Sequence, residues 1–301
     1  MRFSRHSDEN SQKKRQTAES EDSQWLVPFH QHYIAGREQE YVADAIATGA
    51  RSQSEHADSC QAWLGQQTGK KALLTPSCSA ALEMAAIVAD VGPGDEVIVP
   101  SFTFTTSASA FALFGAQIVF VDIQSDTLNI DPEAVAAAIT PRTRWPAHLV
   151  FWLQGSSGLS RLLGDRVIVV VHYAGVSCDM DTIMEIAADH PRILVVEDCA
   201  HAILATGKDG KPLGSSGHLA AFSFHHTKNI SCGEGGALCV NRDCADLWPR
   251  ARVVWEKGTN RQPPYQIRGG GHLLADPISM TDSFGSQGRF LAGSDRQIRL
   301  D

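Results

Sequence analysis

Seven short apolar runs, several of them rich in β-branched residues, alternate along the chain with longer runs of helical character. Strands that are apolar along their whole length are typical of a sheet covered on both faces. Strands that alternate with helices favour parallel pairing, because each helix carries the chain back across one face of the sheet. The pattern therefore predicts an α/β fold with a parallel-rich sheet and helices on both faces.

The predicted elements begin at residue 39 and end at residue 255. Strands are predicted at residues 72–74, 96–99, 118–121, 167–171, 193–196, 220–224 and 237–240, and helices at residues 39–48, 58–67, 79–89, 132–139, 181–188 and 244–255. Asp131-Pro132 has the features of a helix start, a capping residue followed by proline at the first helical position. Gly92-Pro93-Gly94-Asp95 is typical of a turn between a helix and a strand.

Three segments fall outside the alternating pattern. Residues 1–24 are polar and charged without periodicity, and are predicted to be a disordered tail before a large domain at residues 25–261. Residues 145–166 interrupt that domain as an atypical insertion without a clear period. Residues 262–301 are rich in Gly, Ser, Asp and Arg and are predicted to be irregular.

Composition restricts the class of protein. The net charge of the 301 residues is −8 and no extended basic run is present, so nucleic acid is not an expected partner. No apolar run approaches the roughly 20 residues of a membrane span, and the polar N-terminus lacks the apolar core of a secretory signal. The seven cysteines are scattered without CxxC spacing. We therefore expect a cytoplasmic protein with reduced thiols and neither a disulfide framework nor a zinc site.

The segment from residue 220 to residue 236 carries the chemistry. An apolar run leads into His225-His226-Thr227-Lys228, and a glycine-rich turn follows at residues 233–236. Burial lowers the pKa of an ammonium group, and a neutral amine forms a Schiff base with an aldehyde cofactor. Most lysines are solvated surface groups, so Lys228 alone proves little. The case for pyridoxal 5′-phosphate (PLP) depends on three other segments that meet its binding demands.

A candidate phosphate site lies at Ser77-Cys78-Ser79, between a predicted strand and a predicted helix. Helix N-termini carry unpaired N–H groups and the positive end of the helix dipole, so they hold phosphate well. Ser77 and Ser79 add hydroxyl donors. The alternative is ordinary helix capping by serine, which would be favoured if this segment stood alone.

A candidate partner for the pyridine nitrogen is Asp198, at the carboxyl end of the strand predicted at residues 193–196. Side chains at that end of a parallel strand face the ligand crevice, although Asp198 as the N-cap of a following helix is a fair alternative. Glu197 alternates to the other face, where a structural role is expected. His201 either lies over the cofactor or is a surface helix residue. Phe104 is a candidate stacking platform, but a lone phenylalanine is more often part of a core.

Together these segments resemble the DegT/StrS family of PLP-dependent sugar aminotransferases. The resemblance covers residues 28–261. It is carried by motifs in the same order as in the family, at residues 75–85, 171–176, 179–181, 197–198, 222–229 and 256–261. It implies an aspartate aminotransferase-like large domain (fold type I) with a mostly parallel, seven-stranded sheet.

The resemblance also implies roles for the candidate residues. Lys228 corresponds to the lysine that binds PLP and moves the proton between cofactor and sugar, and Asp198 to the partner of the ring nitrogen. The other implied contacts are Phe104 stacked on the ring, His201 beside the cofactor, and Cys78, Ser79 and Ser223 at the phosphate. The implied reaction moves an amino group from glutamate to a nucleotide-linked 4-keto-6-deoxyhexose, such as dTDP-4-keto-6-deoxyglucose, in a homodimer. A lysine at position 228 argues against the family's dehydratase branch, which has histidine there.

Departures from the family pattern keep a second hypothesis open. The insertion at residues 145–166 is foreign to the family, residues 51–57 lack the glycines expected near the sugar site, and the resemblance stops after Arg261. The small C-terminal domain is therefore expected to be absent, and an altered reading frame is one explanation. The alternative function is a truncated, catalytically silent PLP-binding remnant. A Rossmann nucleotide-binding protein is disfavoured, because the 233–236 turn lacks GxGxxG spacing and precedes a strand.

Overall fold

The computed structural model describes residues 36–48, 54–139, 166–244 and 246–258. Within them, seven strands form one mixed sheet in the order β1-β7-β6-β5-β4-β2-β3. The strands are β1 (Lys71–Thr75), β2 (Glu96–Pro100), β3 (Gln117–Val121), β4 (Arg166–Val171), β5 (Ile193–Cys199), β6 (Leu219–Ser223) and β7 (Gly236–Val240). All neighbouring pairs are parallel except those of β7, which runs antiparallel to β1 and to β6. The predicted parallel-rich, seven-stranded sheet is confirmed.

The helices of the described residues connect these strands. They are α1 (Glu38–Ala47), α2 (Glu55–Thr68), α3 (Cys78–Val88), α4 (Thr106–Ala112), α5 (Pro132–Ala138), α6 (Met180–Ala188) and α7 (Leu247–Trp255). The predicted bounds of six agree with these to within about three residues, whereas α4 was given no predicted bounds. None of these helices combines the length and apolar character needed to cross a membrane.

Local capping explains several helix starts. The Asp131 side chain accepts the backbone N–H of Glu133, and proline occupies the first turn of α5, as predicted. In the predicted turn before β2, the backbone N–H of Gly92 donates to the Asp95 carboxylate at 2.7 Å. The Ser77 hydroxyl accepts the backbone N–H of Ala80 at 3.1 Å and so caps α3. The caps at Asp131 and Ser77 satisfy helix N–H donors that have no intrahelical partner, whereas the Gly92 hydrogen bond closes a turn.

The sheet core is covered on both faces. One apolar cluster joins α3, α4 and α7 to inward-facing residues such as Val97, Val169 and Val196. A second joins α5 and α6 to alternate residues such as Ile98, Ile168 and Val195. Because successive side chains of a strand point to opposite faces, continuous apolar strands supply both clusters. The central strands are thereby fixed in place, and their carboxyl ends form a rigid edge.

The chain divides into two compact units, residues 1–44 and residues 45–301. The described part of the first unit is the start of α1, a helix with no buried residues. The sheet belongs entirely to the second unit. Residues 145–165 of the predicted insertion and both predicted tails lie outside the described residues, whereas Arg166 is the first residue of β4 and not part of an insertion.

Candidate active site

A cavity of about 590 Å³ lies at the carboxyl ends of the parallel strands, next to the N-terminus of α3. Its wall contains every residue predicted to contact a cofactor: Cys78, Ser79, Phe104, Asp198, His201, Ser223 and Lys228. These residues come from four separate stretches of the chain. The order of strands in the sheet brings them together, as expected for the ligand crevice of an open α/β sheet.

Lys228 lies in the loop that joins β6 to β7. Cross-loop backbone hydrogen bonds from Phe224 to Gly235 (2.8 Å) and from His226 to Gly233 (2.7 Å) hold the loop in a narrow hairpin. The backbone N–H of Lys228 donates to the carbonyl of His225 at 2.9 Å, so the lysine stands on a closed turn. Its side chain is half-buried and lines the cavity.

Asp198 presents a buried carboxylate to the same cavity, with 4% of the residue exposed. Its Oδ2 accepts the hydroxyl of Ser107 at 2.7 Å and its Oδ1 accepts the backbone N–H of Ala200 at 3.1 Å. No cation of the described residues lies within ion-pair distance of it. Residues 200–218 form turns and a short bridge, so Asp198 does not cap a following helix. A buried carboxylate without a cation is costly, which suits a site for a positively charged ligand group.

Glu197 faces away from the cavity into a fully occupied network. The ring of His172, whose Nδ1 accepts a backbone N–H, donates through Nε2 to the Glu197 carboxylate at 2.9 Å. The backbone N–H groups of Gly214 and Gly217 donate to the two oxygens, and Lys70 Nζ lies 3.5 Å from Oε1. Burial alone raises the pKa of Glu197, but the His172 hydrogen bond and the Lys70 charge lower it to about 2. The structural role predicted for Glu197 matches these contacts.

The turn at the start of α3 is closely packed against β7. A Cβ added to Gly236 would lie 2.5 Å from the backbone nitrogen of Cys78, so only glycine fits there. Ser77 caps the helix through its side chain and also lines the cavity, so capping and ligand contact are compatible. Burial raises the pKa of the Cys78 thiol, with the nearby Asp198 charge acting in the same direction. The neutral thiol leaves the helix N-terminus as the electrostatic feature of this wall.

Aromatic side chains also line the cavity. The Phe104 side chain is 72% exposed and lines the cavity, so the core interpretation of this residue is wrong. The rings of Phe102 and Tyr173 meet edge to face with centroids 5.0 Å apart, and Tyr173 meets His201 at 5.9 Å. Burial and the Lys228 charge lower the pKa of His201, which lies in a turn and not in a helix. The exposed Phe104 ring and the His201 imidazole, which both line the cavity, suit a flat ligand.

Several contributions to this site were not predicted, among them those of Ser107 and Glu234. Ser107 does not line the cavity but contacts Asp198. Nothing in the sequence indicates that a serine inside α4 contacts an aspartate 91 positions away. Glu234 lies at the rim, where its carboxylate pairs with His225 at 3.4 Å. The glycine-rich turn at residues 233–236 singled out this segment in the sequence, but nothing in the sequence predicted the contact between Glu234 and His225.

Comparison with known proteins shows the family of this chain. The DegT/DnrJ/EryC1/StrS aminotransferase family matches residues 32–282. The chain belongs to this aminotransferase family. The limits of the match differ from those of the motif resemblance, which begins at residue 28 and ends at residue 261. The spore coat polysaccharide biosynthesis protein SpsC of Bacillus subtilis (strain 168) is 35% identical over 237 residues, which are 78% of this chain and 54% of SpsC.

Solved structures of the family agree with the fold. A protein of Streptococcus pneumoniae assigned as a sugar aminotransferase, in its PLP form, is 28% identical with a TM-score of 0.66, covering 81% of this chain and 61% of its own. DesI, determined with its TDP-sugar product, is 33% identical with a TM-score of 0.61, covering 76% of this chain and 52% of its own. This chain therefore spans between about half and three fifths of the length of these relatives.

Proposed function

We propose that this chain has the cofactor-binding and catalytic side chains of a PLP-dependent aminotransferase. The enzyme would act on a nucleotide-linked 4-keto-6-deoxyhexose with glutamate as amino donor. The observation that carries the proposal is the single cavity lined by both Lys228 and Asp198. Family membership supports PLP as the cofactor, and the DesI relative with its TDP-sugar product supports a dTDP-sugar such as dTDP-4-keto-6-deoxyglucose.

The residues of the cavity fit each end of PLP. The buried Asp198 carboxylate, without a cation among the described residues, suits the ring N–H. The N-terminus of α3, with Ser79 beside it and Ser223 at the end of β6, suits the phosphate. The exposed face of Phe104 suits the ring. When bound, PLP supplies an aldehyde carbon and a ring that delocalises the electron pair of a deprotonated carbon.

The chain's own residues then divide the remaining work. The Lys228 amine takes and returns a proton at its Nζ, which the closed turn at His225 holds at the cavity wall. Asp198 holds a proton on the ring nitrogen through its free lone pairs. His201, whose pKa is lowered by burial and by the neighbouring Lys228 charge, accepts the backbone N–H of Ala174 at Nδ1, so its Nε2–H is the hydrogen-bond donor left at the cavity wall.

Absorbance of the purified chain with PLP tests the proposal. A visible band that is absent in Lys228→Ala and changes on addition of glutamate is expected. Lys208→Ala is the matched control, because Lys208 is exposed and outside the cavity. A protein that keeps its fold but gives no band would contradict PLP binding. A band that answers no amino donor would instead support the silent remnant.

A homodimer is part of the same proposal. Two phenylalanines that line the cavity are exposed, Phe104 by 72% and Phe102 by 43%, and exposed apolar side chains that lie together are typical of an interaction surface. A second copy covering it would close the site. Sedimentation of the purified chain tests this, and a monomer at every concentration that still turns over substrate would contradict it.

A further inference from the structure

A chain of two hydroxyl groups leads from the cavity wall to Asp198. Ser107, which is 0% exposed, donates its hydroxyl hydrogen to Oδ2 of Asp198 at 2.7 Å. The oxygens of Ser107 and Thr103 are 2.8 Å apart. A serine hydroxyl has a single hydrogen to donate, so Thr103 is the donor in this second contact. The chain therefore has one direction, from Thr103 through Ser107 to Asp198.

These contacts hold both carboxylate oxygens of Asp198. Oδ2 is held by Ser107 from α4 and Oδ1 by the backbone N–H of Ala200, at 3.1 Å. A carboxylate offers about four lone-pair sites, so two donors leave acceptor capacity for a ligand on the cavity side. Because Ser107 stands on a helix packed into the sheet core, the carboxylate is held by a rigid element.

We propose that Ser107 is a positioning residue: its hydroxyl, itself oriented by Thr103, aims the Asp198 carboxylate at the ring nitrogen of PLP. The inference rests on the proposed function, because it concerns that same cofactor. Ser107 does not line the cavity, so its effect reaches the cofactor only through Asp198.

The first test is the affinity of the chain for PLP, measured by absorbance titration. Ser107→Ala is expected to weaken PLP binding about tenfold, because the loss of one hydrogen bond to a charged group lowers an affinity by about tenfold or more. The absorbance of bound PLP should also change its pH midpoint, which a loss of packing alone would not cause. Ser109→Ala is the matched control, an exposed serine on the same helix, and should bind PLP as the original chain does. Ser107→Thr, which keeps the hydroxyl, should restore most of the affinity.

A double-mutant cycle with Thr103→Val separates a relay from independent effects. If Thr103 acts through Ser107, the loss caused by Thr103→Val, expected at about twofold to threefold, disappears when Ser107 is already alanine. Additive losses would overturn the relay. Because Thr103→Val removes a hydroxyl at a partly exposed site, it remains informative where Ser107→Ala destabilises the fold.

The outcomes distinguish this inference from the proposed function. If the original chain binds PLP and Ser107→Ala binds it equally, with an unchanged pH midpoint, the positioning role is wrong and the proposed function stands. If the original chain does not bind PLP, both are wrong.

Discussion

Glu197 and Asp198 are consecutive residues of one strand, yet their carboxylates lie in opposite kinds of environment. Glu197 accepts hydrogen bonds from His172 and two backbone N–H groups and has Lys70 nearby, so its charge is compensated inside the protein. Asp198 accepts only neutral donors and faces the cavity. The difference shows how a parallel strand supplies stability on one face and ligand chemistry on the other. It also separates two measurable quantities, the free energy of unfolding and the affinity for PLP.

The largest effect should come from breaking the Glu197 network. Glu197→Ala leaves Lys70 and His172 buried without their partner, and removing one member of a buried ion pair costs about 3–5 kcal/mol. Denaturant unfolding measures this loss. Glu185→Ala, at an exposed position of α6, should change the free energy by less than about 0.5 kcal/mol. If the two variants are equally stable, the network does not contribute as its contacts imply.

The pH dependence of stability should carry the same signature. The pKa of Glu197 is about 2 when folded, against an ordinary value of 4.5, so the unfolded chain binds more protons between these values. Stability is therefore fully present above about pH 4.5 and falls as the pH drops toward 2, by roughly 3 kcal/mol at 1.36 kcal/mol per pKa unit.

Unfolding curves collected down to acidic pH measure this dependence. The titratable groups facing Glu197 are His172, Lys70 and Cys199, and all three remain in Glu197→Gln, which removes only the titrating carboxylate. In this variant the steep loss of stability at acidic pH should disappear. If that loss is unchanged, other carboxylates cause it.

A smaller effect, seen in a different quantity, is expected for Asp198→Asn. The amide has nearly the same shape but no charge to hold a ring N–H, so PLP should bind roughly ten- to a hundredfold more weakly, the range for a charged hydrogen bond. Titration with PLP measures the affinity, and unfolding should show a smaller loss of stability than Glu197→Ala does. Asp209→Asn, at an exposed site outside the cavity, is the control. A variant that loses stability but not affinity would reverse the comparison.

Much of this architecture follows from local sequence patterns. All seven predicted strands are present, because runs such as Val167–Val171 leave no polar face and pair only inside a sheet. Asp131 and the turn at Gly92 are equally local, since each cap or turn bond joins residues at most three apart. The alternation of Glu197 and Asp198 to opposite faces needs nothing beyond the period of a strand.

The sequence alone determined which segments become strands and helices, and which side chains stand at the ends of the strands. Only the tertiary structure decided that Lys228 shares a cavity with Asp198, that Ser107 donates a hydrogen bond to that carboxylate, and that Lys70 forms an ion pair with Glu197. Local preferences are fixed by neighbours a few residues apart. Contacts such as these join segments far apart in the chain, and they exist only once the packing of the core has set the order of the strands.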